Sequence, residues 1–93
     1  MPIDSLVPAA EYALLVVVPV YDHEHAIAEV VAGIRAAGLP CLLVDDGSHA
    51  DCAAVLAVLA RQPGVGLLRL QHNQGKGGAM LAGFSEAARL GYT

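Results

Sequence analysis

The chain has 93 residues, 56% hydrophobic and 15% charged, with a net charge of −4. That suits one small folded domain and excludes a two-domain enzyme, a disordered segment and a basic nucleic-acid-binding arm. Ala and Leu supply most of the apolar side chains, and there are three Tyr, one Phe and no Trp, so a thin core with closely packed helices is expected.

No membrane span is expected, because apolar runs such as Ala13 to Val18 fall far short of the ~20 residues a helix needs to cross a bilayer. No Lys or Arg precedes Arg35, which does not fit an export signal, so a cytoplasmic chain is expected. Cys41 and Cys52 lack the CxxC spacing of a zinc site, and strand two alone would hold them apart, so both should be free buried thiols. Charge is divided along the chain: residues 1 to 51 carry eight carboxylates and one Arg, whereas residues 52 to 93 carry one Glu, three Arg and one Lys.

Leu14 to Tyr21 is a β-branched apolar run that predicts a strand covered on both faces. Ile27, Val30, Val31 and Ile34 recur at helical spacing, predicting a helix from His25 to Ala37 that ends at Gly38-Leu39-Pro40. Cys41 to Val44 predicts a second strand, after which Ser48 and Asp51 have capping-box spacing for a helix from Ala50 to Arg61. That helix is apolar nearly all round and should be well covered. Val65 to Gln71 predicts an edge strand, and Met80, Phe84, Ala87 and Ala88 mark a third helix ending near Gly91. The β-α-β-α-β-α order predicts an α/β fold, a three-layer Rossmann-like unit with a parallel sheet.

Ligands of open α/β sheets bind beyond the carboxyl ends of the strands. The three loops there are polar: Tyr21-Asp22-His23-Glu24-His25, Asp45-Asp46-Gly47-Ser48, and Gln71 to Gly78. The connections at the other end carry no titratable group. Asp22 is either a cap for the first helix or a ligand group, and Asp45-Asp46-Gly47-Ser48 is either a capped turn or a hydrogen-bond-accepting site. Lys76, the only lysine, sits among Gly75, Gly77 and Gly78 at a helix start, which favours an anion. A P-loop is excluded because Leu70 stands at its first Gly and Gly77 follows Lys76; a dinucleotide fingerprint lacks its last Gly, at Met80. His23-Glu24-His25 is a poor metal tripeptide, because its members diverge on a helix.

VVVPVYDHE, LLVDDGS and NQGKGGAMLAGF, in that order on three successive βα units, resemble the nucleotide-binding half of a family 2 glycosyltransferase of GT-A-type fold. The resemblance runs from Leu14 to about Leu90 and implies a transferase that moves a sugar from a nucleoside diphosphate sugar to an acceptor. It implies that Pro19 and Tyr21 line the base pocket, that Asp46 accepts a hydrogen bond from the base with Asp45 supporting its loop, and that Lys76 lies near the phosphates. Asp22, Glu24, Asn73, Gly75 and Gly77 are secondary nucleotide-binding candidates. At Asp22-His23 the family more often has Asn-Glu.

The family's Asp-x-Asp metal motif and catalytic base would follow the third helix, so the chain is expected to be a single N-terminal domain of a longer enzyme, inactive by itself. Mg or Mn would then act only in the complete protein. The Asn-x-Gly-Lys-Gly form resembles the branch acting on polyprenyl or dolichyl phosphate, which would place the full-length protein at the cytoplasmic membrane face. The implied sheet order, three-two-one-four, leaves the first strand open to a homo-oligomer contact. The alternatives are a receiver-like or flavodoxin-like binding domain, whose acidic pair would follow the first strand, and an interaction module that leaves the polar loops unexplained.

Overall fold

The computed structural model describes residues 14–92. Three strands, β1 (Val16–Val20), β2 (Cys41–Asp45) and β3 (Val65–Arg69), alternate with helices α1 (Ile27–Ala36), α2 (Ala50–Leu59) and α3 (Gly75–Arg89). The sheet is parallel in the order β1-β2-β3. Val16 pairs with Cys41 and Val20 with Asp45, while Cys41 pairs with Val65 and Asp45 with Arg69.

Strand side chains alternate between two apolar layers, because successive residues point to opposite faces. Val20, Cys41, Leu43 and Val65 pack with Ile27 and Val31 of α1 and with Cys52, Leu56 and Leu59 of α2. On the other face Leu42 and Val44 pack with Ala79 of α3, joined by Leu15, Val17, Leu68 and Leu70. Every residue of β2 is buried, as a central strand requires, and covering a side chain such as Leu42 or Leu43 stabilises the fold by about 1.5–3 kcal/mol. The result is the three-layer α/β unit that the element order predicts.

Three local expectations are corrected, and the packing of α3 adds a fourth finding. Helix α1 begins at Ile27 rather than His25, its N-cap is Ala26, and no side chain caps it; the carboxylate of Asp22 instead accepts from the backbone N–H of His49. The N-cap of α2 is His49 rather than Ser48, because the Ser48 hydroxyl is taken up by Asp22 and Val20. Helix α2 ends at Leu59 and is not covered all round, since Val58 is exposed on its outer side. The buried face of α3 is Ala79 and Gly83, while Phe84 is exposed. A Cβ at Gly83 would stand 2.9 Å from Val44 and closer still to Val17, so only glycine lets α3 approach the sheet this far.

The outer edge of β1 follows from its pairing. The Val16 N–H donates to Pro40 O at 3.0 Å, and Val20 O accepts from Asp46 N at 2.8 Å, so the even-numbered residues face β2. Leu15, Val17 and Pro19 therefore present their backbone groups outward, and Pro19 contributes no N–H.

Candidate functional site

The carboxyl ends of the parallel strands lie together, and their loops are stitched side to side. The Asp22 N–H donates to Ser48 Oγ at 3.0 Å, and His49 N donates to Asp22 Oδ1 at 2.8 Å. Ser48 N donates to Asp45 Oδ1 at 2.8 Å, closing the turn after β2. A second set of bonds joins the β2–α2 and β3–α3 loops. Gln74 N donates to Asp46 Oδ1 at 2.6 Å, and Asn73 Nδ2 donates to Asp46 O at 3.1 Å. Gly47, at φ +78, permits this approach, since a Cβ there would come within 2.8 Å of Asn73 N.

These stitches frame an open cavity of about 640 Å³. Pro19, Val20, Tyr21 and His23 form its β1 side; Asp46, Asn73, Gly75 and Lys76 form the other. Tyr21 is half exposed, so its ring is free to meet a ligand. Asp46 is 3% exposed, with Oδ1 committed to Gln74, which leaves Oδ2 as its unengaged oxygen. Lys76 lies in the first turn of α3, where no side chain caps the helix and no acidic residue offsets its positive end. An aromatic ring, a buried acceptor and a cation at a helix start are complementary to a base carrying phosphate.

Six of the sequence candidates, Pro19, Tyr21, Asp46, Asn73, Gly75 and Lys76, meet on this wall. Asp45, Asp22, Glu24 and Gly77 do not lie on it. Asp45 is fully buried, with Oδ2 3.6 Å from Arg69 Nε, so it braces the rim from beneath. Asp22 and Glu24 turn to His49, whose Nε2 lies 3.5 Å from Asp22 Oδ1 and 3.7 Å from Glu24 Oε2. Two wall residues, Val20 and His23, were not among the candidates. The spacing of His23, two residues after Tyr21 in one loop, was the signal available. Among the described residues no group of three or more His, Cys, Asp or Glu is arranged to hold a metal ion, both cysteines are free and buried, and no helix is long and apolar enough to cross a membrane.

A sequence model of glycosyl transferase family 2 matches residues 15–89, a span that takes in all three strands and all three rim loops. The chain belongs to glycosyl transferase family 2. Among curated proteins, it is 38% identical over 78 residues to an undecaprenyl-phosphate 4-deoxy-4-formamido-L-arabinose transferase of Sodalis glossinidius (strain morsitans), covering 75% of this chain and 24% of that protein. It is 34% identical over 84 residues to the transferase of the same name from Enterobacter sp. (strain 638), covering 82% of this chain and 26% of that protein. The chain thus spans about a quarter of the length of these relatives. No solved structure is a significant match. Membership of family 2 sets aside the receiver-like and flavodoxin-like alternatives, and the acidic pair lies at the end of β2 rather than after β1.

Proposed function

We propose that this chain is the nucleotide-sugar-binding part of a glycosyltransferase that transfers a sugar from a nucleoside diphosphate sugar to a lipid phosphate acceptor. The observation that carries this reading is the convergence of Tyr21, Asp46 and Lys76 on one cavity at the carboxyl ends of the strands. The names of the two relatives, both undecaprenyl-phosphate sugar transferases, support a lipid phosphate acceptor, and in this reading the full-length protein works at the cytoplasmic membrane face.

In this reading Tyr21 and Pro19 hold the base between ring and backbone, and Asp46 Oδ2 accepts a hydrogen bond from a base N–H. Lys76 and the first-turn N–H groups of α3 offset the charge of the diphosphate, so that the sugar extends from the rim. A divalent Mg or Mn in the complete enzyme would neutralise charge on the leaving diphosphate. The described residues do not form a fitting ligand set for it, and neither they nor the rest of the chain contain Asp-x-Asp. In this reading the part assigned to the described residues is donor binding.

The test is a titration of the chain with UDP, GDP and their sugars, followed by calorimetry and by backbone NMR shifts. Saturable shifts centred on Tyr21, Asp46 and Lys76 are expected. Shifts centred instead on Leu39 and Pro63, at the opposite end of the sheet, would overturn the assignment of the binding rim.

A further inference from the structure

The β1–α1 loop sorts its side chains to two sides. Asp22 and Glu24 turn toward the start of α2, where both approach His49 Nε2, while Tyr21 and His23 line the cavity. His25 does neither of these, with its side chain 97% exposed and only Glu24 nearby, at 4.0 Å. Asp22 Oδ1 and Glu24 Oε2, the oxygens of the carboxylates that flank His23 in sequence, thus face another imidazole, while Glu24 Oε1 is buried without a hydrogen-bond partner. Asp46 is the one carboxylate on the cavity wall, and one of its oxygens is committed to Gln74 N. The remaining charge on that wall is Lys76.

We propose that His23 is a second, proton-dependent contact for the anionic part of the ligand, acting with Lys76 across the cavity. This rests on the nucleotide-sugar reading above. A neutral imidazole offers one N–H, whereas the imidazolium offers two together with a full positive charge. Imidazole as a side-chain type changes state between pH 5 and 8, and a diphosphate ester linked to a sugar has no group that titrates in that interval. Affinity for a nucleotide sugar should therefore rise as pH falls, through the protein rather than through the ligand. A charge-assisted hydrogen bond gained on protonation corresponds to about tenfold tighter binding at pH 5.5 than at pH 8.

The experiment measures the Kd of UDP-glucose and of GDP-mannose for the 93-residue chain at intervals from pH 5.5 to 8, with uridine and guanosine as phosphate-free controls. Wild type and His25→Gln should both show the slope for the nucleotide sugar that binds, His23→Gln should be flat and weak throughout, and the nucleosides should show no slope in any form. A wild-type affinity that does not change with pH, or a slope that survives in His23→Gln, overturns the role of His23 and leaves the nucleotide-sugar reading standing. Absence of binding by either nucleotide sugar at every pH overturns both.

Discussion

At the scale of single residues, Asp46 carries two loads that differ by oxygen. Oδ1 fastens the β3–α3 loop through Gln74 N, and in the proposed function Oδ2 is the acceptor offered to the base. Asp46→Asn keeps an oxygen for Gln74 and puts an amide donor where a base N–H would also donate. Nucleotide affinity by calorimetry should fall at least about tenfold while the fold is retained, because a hydrogen bond to a charged acceptor contributes about 1.5–3 kcal/mol. Unchanged affinity would leave Asp46 as a brace between loops. Cys41 gives a separate prediction from its burial, which pushes the thiol above its ordinary range against a smaller opposing pull from Arg35. A group raised in the folded state contributes stability that is intact below its unfolded value, ~8.5 for a thiol, and that is lost as pH rises through the folded value. The urea midpoint should drop between pH 7 and pH 10, less so in Cys41→Ala, and Cys41 should react with a thiol reagent only on unfolding.

At the scale of elements, the strands were legible because each is a short apolar run closed by turn residues, and β2, covered on both faces, is the clearest. The rim was legible too, since parallel strands send their carboxyl ends to one side. Which rim residues face the cavity was not, because that depends on bonds between loops: Asp22 is drawn away by His49, and Ser48 is drawn from its capping position by Asp22. The buried face of α3 was not legible, for a packing reason. Hydrophobicity points to Phe84, whereas close approach to Val17 and Val44 selects the smallest residue, Gly83. Gly83→Ala should therefore cost about 1–3 kcal/mol through overpacking. Gly33, in α1, has nothing within 4 Å of an added Cβ, so Gly33→Ala should stabilise by up to about 1 kcal/mol through helix propensity. Urea unfolding of the two variants should shift in opposite directions; a shift in the same direction would remove the close-packing account of α3.

At the scale of the whole molecule, both β1 and β3 flank the sheet on one side only, but they differ in what they expose. Beside β1 lies an apolar cavity of about 390 Å³ lined by Leu15, Val17, Phe84, Ala87, Ala88 and Tyr92, and Leu14 is also exposed. An apolar strand whose outward backbone groups have no partner among the described residues invites another strand. A second copy running antiparallel, with Leu15 opposite Val17 of its mate, satisfies the N–H and C=O of both residues in each chain and needs nothing from Pro19. Light scattering should show a concentration-dependent dimer, and hydrogen exchange at the Leu15 and Val17 amides should slow as it forms. A monomer at millimolar concentration with fast exchange at both amides would rule the dimer out.

Pro19 belongs to the outer row of β1 and also to the wall of the ligand cavity. Because it brings no N–H, any strand that zips onto this edge loses a donor at the same residue where the cavity begins. If both proposals hold, sheet extension and ligand entry are partitioned along one five-residue strand, with a single imino acid as the border between them. Assembly and nucleotide binding should then proceed without competing, so a saturating nucleotide sugar leaves the monomer–dimer balance where it was.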